Sequence, residues 1–215
     1  MVSSTWSCAG LLVIGLATLV TLNCTLSMDT TLRPSVKYPD RVVLSNKTKP
    51  FTVRVSRFVC VETPYALTEL LYCKIRLRRN EPTLFNMSIR VPMVLNTVYL
   101  QVKTYYKYMT YQIFPIDLHE EVCAYMKQPS NDIFSRHAFS VLMETMPQYM
   151  YPCPHGNTTY TIAYWLEERF FPDSMPAGDF RMDCWFRNGA NQTLFAYQVF
   201  FSVRRRGVVP SMLNW

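Results

Sequence analysis

Hydrophobic and polar residues alternate along most of the chain from Phe51 onward. A period of two is typical of half-buried β-strands, because successive side chains point to opposite faces of a sheet. The alternation covers residues 71–78, 85–91, 98–103, 180–187 and 193–204. Near Ser56 and Arg57 the phase slips, which predicts a bulge or a break in the first strand.

The same alternation predicts which side chains turn toward the core. In residues 71–78 the inward positions are Leu71, Cys73, Ile75 and Leu77, and in residues 85–91 they are Phe85, Met87, Ile89 and Val91. This register places Asn86 on the solvated face. The dipeptide Asn188-Gly189 separates the last two strands, and both residue types tolerate the positive φ of a hairpin turn.

Two segments in the middle of the chain have helical spacing instead. Apolar residues recur at three- and four-residue intervals in 118–127 and 133–146, with Asp132 at a candidate N-cap and Pro147 as a stop. Strands before and after a short helical insert around 118–146 predict an all-β fold, an antiparallel β-sandwich with a helical excursion.

The composition fits one packed domain. The chain has 215 residues, of which 49% are hydrophobic and 17% charged, and this excludes a disordered or collagen-like protein. We expect an extended arm at 28–50, the sandwich at 51–206 and a tail at 207–215.

The N-terminus indicates a secreted protein. Residues 1–27 contain no charged side chain, and residues 9–22 form an apolar run that is too short to span a bilayer but typical of a signal peptide. We expect cleavage after Ser27, which would leave a mature chain that carries the whole formal charge of +7 and is not membrane-spanning. A retained membrane anchor is the alternative.

Cysteines and glycosylation sequons agree with an oxidising, extracellular location. Cleavage after Ser27 leaves five cysteines, Cys60, Cys73, Cys123, Cys153 and Cys184, so that two disulfides and one free thiol are expected, with the pairing open. If Cys24 survives, a sixth cysteine could pair with Cys184. Sequons begin at Asn46, Asn86, Asn157 and Asn191, and each should lie at the surface.

No motif predicts an enzyme. The segment His119-Glu120-Glu121-Val122-Cys123 places a cysteine where a zinc protease needs its second histidine, and Cys153-Pro154-His155 is typical of an exposed turn held by a disulfide. We therefore expect no catalytic residue, no metal and no cofactor. The basic clusters at 76–79 and 204–206 indicate solvated strand ends, and secretion argues against nucleic acid as a partner.

Several short motifs occur in a recognisable order. They are Phe58-Val59-Cys60-Val61-Glu62, Tyr72-Cys73-Lys74, Cys123 after Phe114-Pro115, Cys153-Pro154, and Pro176-Ala177-Gly178-Asp179-Phe180. Over residues 55–205 this order resembles a large insect family of small secreted proteins of uncharacterised function. That family is related to the ML (lipid-recognition) domains and includes members linked to chemosensation.

The resemblance implies an immunoglobulin-like, ML-like sandwich whose two sheets can separate around an apolar cavity. It also implies the disulfides Cys60–Cys73 and Cys123–Cys153. Cys184 departs from the pattern of the family, and its place on an apolar strand face predicts a buried free thiol.

The resulting expectation is a secreted, non-enzymatic carrier or presenter of an apolar ligand, such as a lipid, a fatty acid, a sterol or a cuticular hydrocarbon, with a membrane receptor as a further partner. The inward residues expected to line its cavity are Phe85, Ile89, Leu100, Phe195, Tyr197 and Phe201. The alternative is a receptor- or matrix-binding module with a fully packed core.

Overall fold

A computed structural model of the chain describes residues 48–76 and 81–207. The expected signal peptide and its cleavage point, most of the N-terminal arm, the sequon at Asn46, residues 77–80 and nearly all of the C-terminal tail lie outside these residues. The strands are β1 (Phe51–Cys60), β2 (Glu69–Arg76), β3 (Leu84–Leu95), β4 (Val98–Lys107), β5 (Tyr111–Glu121), β6 (His155–Trp165), β7 (Gly178–Asn188) and β8 (Thr193–Arg205). The helices are α1 (Val122–Lys127) and α2 (Ile133–Thr145), with short 3-10 turns at Pro147–Tyr149 and Glu168–Phe170.

The strands form two antiparallel sheets. One sheet has five strands in the order β1-β8-β7-β4-β5, and the other has three in the order β2-β3-β6. Apolar side chains from both sheets meet in one hydrophobic core. The predicted all-β antiparallel sandwich with a short helical insert is confirmed.

Aromatic rings fill the half of the core that lies toward β1. Phe58 stacks on Phe85 with ring centroids 4.7 Å apart, which joins β1 to β3 across the two sheets. On the five-stranded sheet, Phe180 stacks on Phe201 at 5.3 Å. These rings are buried, so this part of the sandwich is densely packed.

The predicted irregularity in the first strand is a bulge. Val55 pairs with Phe201 and Arg57 pairs with Phe200, so Ser56 has no partner of its own in β8. An extra residue on one strand is the mark of a β-bulge.

The first predicted helix begins later than the sequence indicated. Leu118 lies in β5, where it pairs with Val102, and the helix starts only at Val122. The prediction of a helix from 118 was wrong. Up to Glu121, strand pairing with β4 outweighs the helical spacing of the apolar residues. The second helix, at 133–145 with Asp132 as its N-cap, is confirmed.

Strand β2 is less buried than its alternation predicted. Leu71 is 49% exposed and Ile75 is also exposed, because β2 is an edge strand with a neighbour on only one side. The register also shifts between Leu70 and Tyr72, which leaves Leu71 unpaired with β3. In the neighbouring strand, Ser88 is buried and its hydroxyl shares a hydrogen bond with that of Thr161 at 3.1 Å.

The last hairpin turns where it was predicted to turn, but with a different backbone. The residue with positive φ is Asn191, at 60°, and not Gly189. The Asn188 side-chain oxygen accepts hydrogen bonds from the backbone N–H groups of Ala190 and Gln192, at 3.0 and 2.9 Å. A side chain that binds the backbone two residues further on holds this loop, so its glycine needs no special conformation.

Candidate functional site

An apolar cavity of about 150 Å³ lies at the end of the sandwich opposite the packed aromatic half. The three-stranded sheet contributes Ile89, Val91 and Leu95 from β3 and Ile162 from β6. The facing walls come from β4, β7 and β8, through Val98, Leu100, Phe186, Leu194 and Phe195. The cavity therefore lies between the two sheets.

The helical insert lines one side of this cavity. Val122 of α1 and Leu142 of α2 line the cavity, together with Met146 and Met150 from the chain that leads on to β6. Methionine side chains are flexible and adapt to irregular apolar surfaces. The helices thus form an apolar lid over the space between the sheets.

Hydrogen bonds at the helix N-termini fix the lid. The Asp132 carboxylate accepts from the backbone N–H of Ser135 at 2.7 Å, and these hydrogen bonds lower the pKa of Asp132. The Glu121 carboxylate accepts from the N–H groups of Cys123 at 3.0 Å and Ala124 at 2.5 Å. Carboxylates in these positions satisfy N–H groups that have no partner inside the helix.

A disulfide joins the lid to the three-stranded sheet. Cys123 in α1 is bonded to Cys153, two residues before β6 begins. The other disulfide joins Cys60 at the end of β1 to Cys73 in β2. These are the two pairings that the resemblance implies, and Cys184 is a buried free thiol.

The polar side chains of the cavity wall belong to Tyr149, His155 and Tyr160. The Tyr160 hydroxyl accepts from the Gly156 N–H at 2.7 Å and shares a hydrogen bond with the Tyr151 hydroxyl at 3.0 Å. The Tyr149 hydroxyl accepts from the Thr161 N–H and donates to the Thr161 carbonyl. Both phenols are therefore satisfied by the protein.

His155 differs from the two tyrosines. Its Nε2 is buried and has no hydrogen-bond partner among the residues that the structure describes. The ring lies against that of Tyr151, with centroids 4.4 Å apart. Burial lowers the pKa of His155, while the nearby negative charge of Glu121 opposes that shift.

The six side chains expected to line a cavity fall into two groups. Ile89, Leu100 and Phe195 line it. Phe85, Tyr197 and Phe201 lie in the core instead, where Phe58 contacts both Phe85 and Tyr197, and Phe201 stacks on Phe180. Alternation indicated the inward face correctly, but it carries no information on where along that face the sheets separate.

Sequence reasoning missed the helical half of the site. Leu142, Met146 and Met150 face the cavity, although the helical spacing of 133–146 indicated only a packed amphipathic segment. His155 was interpreted as part of an exposed turn, whereas it is half-buried in the wall. The apolar positions at the end of the helical insert were the available signal for this lid.

The cysteine and histidine side chains that could hold a metal lie apart or are already bonded. Cys123, Cys153 and His155 lie within 4.8 Å of one another, but the two sulfurs form a disulfide, so neither is available as a thiolate. His119 is exposed and stacks on Tyr99 at 5.6 Å. Within residues 48–76 and 81–207, no helix is long and apolar enough to cross a membrane.

The described sequons differ in exposure. Asn157 and Asn191 are exposed, and both adopt positive φ, at 50° and 60°. Asn86 is half-buried in the middle strand of the three-stranded sheet, between Lys74 and Ala163. Asn157 and Asn191 are therefore the more accessible of the described sequon asparagines.

One family model matches part of the chain. It is described as "Protein of unknown function (DUF1091)" and covers residues 98–182, from the start of β4 into β7. Comparison with curated proteins gives no significant match.

Two solved structures are weakly similar to this chain. A Niemann-Pick type C2 protein from the Japanese carpenter ant is 14% identical over 66% of this chain and 96% of that chain, with a TM-score of 0.36. Chicken MD-1, solved in complex with lipid IVa, is 14% identical over 79% of this chain and 99% of that chain, with a TM-score of 0.31.

Proposed function

We propose that the protein is a secreted, non-enzymatic carrier or presenter of an apolar ligand, such as a lipid, a fatty acid, a sterol or a cuticular hydrocarbon. The observation that carries this proposal is the apolar cavity between the sheets, which the helical insert lines on one side. We also propose that the protein belongs to the insect family that its sequence resembles. In this proposal it acts in chemosensation and has a membrane receptor as its partner.

The mechanism is transfer of hydrocarbon from water to the space between the sheets. Each buried CH₂ contributes roughly 0.8 kcal/mol. An apolar cavity of similar size in another protein stays dry and binds benzene, so a group of that size fits here without rearrangement. A longer ligand needs more space than this volume, and the flexible methionine side chains of the lid can adapt to it.

The absence of an enzymatic role is also part of the proposal. Carrying an apolar ligand needs no nucleophile, and the sulfurs beside His155 are joined to each other. The Cys184 thiol lies in the core, where burial raises its pKa to about 12. A thiol in this setting is unreactive at neutral pH.

Ligand binding can be tested on protein secreted from insect cells. Native mass spectrometry should show a co-purifying lipid, and the delipidated protein should bind a fluorescent fatty acid that unlabelled fatty acid displaces. A clean apo mass together with no fluorescent binding would refute the carrier.

A pair of variants locates the binding site. Leu142→Trp adds a large side chain to the lid and should lower the affinity for the fluorescent fatty acid at least tenfold. Ile133→Trp makes the same kind of change on the same helix, at a residue that is 71% exposed, and should leave the affinity unchanged. Equal affinity in the two variants would place the ligand elsewhere.

The second candidate is a receptor- or matrix-binding module. Apolar side chains exposed at the β4–β5 hairpin favour it, since Met109 is 97% exposed and Tyr108 lies beside it. The basic edge is partly neutralised, because Arg204 pairs with Asp179 at 2.7 Å and Arg206 with Glu168 at 2.8 Å. A pull-down partner that is lost on neutralising Arg204–Arg206 would support the module, and a partner retained by that variant would exclude this edge as the contact.

Secretion makes a prediction about glycosylation. Protein from insect cells should shift in mass on treatment with an N-glycosidase, and Asn157→Gln and Asn191→Gln should each remove part of that shift. An unglycosylated protein found inside the cells would contradict secretion.

A further inference from the structure

The hairpin between β4 and β5 presents apolar side chains to the solvent. At its tip, residues 108–110, Met109 is 97% exposed and Tyr108 is also exposed. Ile113 is exposed on β5, where it lies opposite Tyr105 of β4. Exposed apolar side chains that are grouped at one place mark a surface that binds another molecule.

Four exposed basic side chains lie behind this tip. Arg54, Arg57, Lys107 and Arg204, here called the basic rim, border one surface groove together with Tyr111. Lys107 and Tyr111 are also the pair of residues that flanks the tip of the hairpin. The apolar tip and the basic rim are therefore neighbours on the surface.

The acidic side chains of the same groove are mostly paired. Three of the four carboxylates that border it form salt bridges with arginines, namely Asp179 with Arg204 at 2.7 Å, Glu167 with Arg169 at 2.5 Å and Glu168 with Arg206 at 2.8 Å. Among the described residues, no carboxylate forms a salt bridge with Arg54, Arg57 or Lys107. These three charges remain available to attract an anionic partner.

Aromatic rings and arginines alternate on the adjacent outer face of the five-stranded sheet. The Arg181 guanidinium lies 4.2 Å from the ring centre of Tyr105 and 5.1 Å from that of Tyr111. The Tyr111 ring lies 6.0 Å from Phe200, and Arg57 lies 5.4 Å from the centre of the Phe200 ring. Tyrosine and arginine both combine an apolar body with a polar end, which suits the boundary between lipid headgroups and hydrocarbon.

We propose that this end of the protein docks on an anionic lipid bilayer. The tip enters the headgroup layer with the Met109 side chain, and the basic rim contacts the negative charges of the lipids. A lipid layer can surround a side chain that projects by itself, whereas a protein partner would need a matching pocket. The unpaired cations beside the tip favour the lipid surface for the same reason, because anionic headgroups are mobile and can gather around them.

The docking surface lies far from the cavity. Val98 begins β4 and lines the cavity, whereas Lys107 ends the same strand. At about 3.3 Å per residue, the two ends of this strand are about 30 Å apart. Docking therefore leaves the cavity unobstructed, and this inference goes beyond the proposed carrier function.

Vesicle binding by the protein secreted from insect cells tests the proposal. Sedimentation is measured with vesicles of phosphatidylcholine alone and with vesicles that contain about 30% phosphatidylserine, an anionic lipid. We expect roughly 100-fold stronger binding to the anionic vesicles at about 0.1 M salt, and most of this preference should disappear at about 0.5 M salt. No binding, or equal binding to both kinds of vesicle, would overturn the proposal.

Met109→Glu tests the tip. Loss of one buried methionine side chain should lower the affinity for anionic vesicles by about tenfold or more. The matched control is Ile133→Glu, which also replaces an exposed apolar residue by a carboxylate but lies on α2. Equal affinities of the two variants would show that the tip does not enter the lipid.

Replacement of Arg54, Arg57 and Lys107 by glutamine tests the basic rim. At about 1 kcal/mol for each cation near the membrane, the triple variant should bind anionic vesicles roughly 100-fold more weakly. The matched control replaces three exposed cations of the three-stranded sheet by glutamine, namely Lys74, Arg76 and Arg90. Because both variants lose the same formal charge, an equal loss of affinity would mean that net charge alone drives binding and would overturn the assignment to this surface.

The failures of the two proposals are distinguishable. Met109→Glu should bind a fluorescent fatty acid as the wild type does, so loss of vesicle binding leaves the carrier function intact. A wild type that binds vesicles but no fatty acid would refute the carrier and support the docking surface. Cell binding that Met109→Glu abolishes, with no vesicle binding by the wild type, would mean that the tip contacts a protein and would overturn the lipid assignment.

Discussion

The Glu121 carboxylate accepts a hydrogen bond from the backbone N–H of Val98 at 3.1 Å. Val98 is the first residue of β4 and lines the cavity, while Glu121 is the N-cap of α1. One side chain thus connects the beginning of a cavity strand with the beginning of the helical lid. The connection joins residues 98 and 121, which come together only in the fold.

Removal of this carboxylate should destabilise the lid. Glu121→Ala deletes the helix cap and leaves the Val98 N–H without its acceptor, so we expect a loss of about 1–2 kcal/mol in the free energy of unfolding. Urea denaturation followed by circular dichroism measures it.

The matched control is Glu69→Ala. Glu69 lies 3.7 Å from Arg90 on the surface, and an exposed pair of this kind contributes between about 0 and 1 kcal/mol. Equal losses in the two variants would contradict the role assigned to Glu121.

The disulfide between Cys123 and Cys153 should stabilise both the fold and the site. Replacing both cysteines by Ala opens a link with a sequence separation of 30 residues and should lower the free energy of unfolding by roughly 2–4 kcal/mol. Because the bond joins the lid to the three-stranded sheet, affinity for a fluorescent fatty acid should fall as well. The same double replacement at Cys60 and Cys73, outside the cavity wall, should lower stability without this loss of affinity.

Acidification should destabilise the folded protein through His155. The pKa of His155 is lower in the folded state than its ordinary value of 6.5, so the unfolded chain takes up a proton first as the pH falls. The contribution of His155 is therefore complete above pH 6.5 and is lost as the pH decreases toward the lowered pKa.

Comparison with His155→Phe isolates this effect from other titrating groups. Urea midpoints at several pH values between 7.5 and 5 should fall more steeply for the wild type than for the variant. Parallel curves would show that His155 is not buried as described.

Cys184 should be inert in the folded state and reactive in the unfolded state. It is 3% exposed, and burial raises its pKa to about 12, so the thiolate is scarce at neutral pH. A chromogenic disulfide reagent should modify the native protein far more slowly than the unfolded protein. Guanidinium at about 6 M is concentrated enough to unfold even stable domains. The variant Cys184→Ser shows how much of the colour change comes from Cys184. If the native wild type is modified rapidly and Cys184→Ser is not, the thiol is not buried.

The sequence could predict much of the fold because its signals are local. Alternation in Phe195, Val199, Phe201 and Val203 identified a strand with one buried face, and those four side chains are buried in the structure. The N-cap Asp132 and the bulge at Ser56 could be predicted for the same reason. A helix cap, or a shift in the alternation of apolar and polar residues, depends on only a few neighbouring residues.

The candidate site was predicted only in part because it depends on distances between elements far apart in the chain. Phe85 and Ile89 lie on the same face of β3, yet Phe85 stacks on Phe58 and Ile89 faces an open space. The difference arises from what lies opposite each residue, because a ring from β1 packs on Phe85 whereas Ile89 lies beside the cavity. No pattern along β3 records which side chain of another element lies opposite.

The sequence by itself determined the class of the fold and the inward faces of its strands, because both follow from which side chains avoid water. Only the tertiary structure decided that Leu118 belongs to a strand, that Leu142 and Met146 line the cavity, and that His155 is half-buried in the cavity wall. These facts depend on packing between distant segments, where pairing energy, shape and burial are set by the partner and not by the neighbours in sequence.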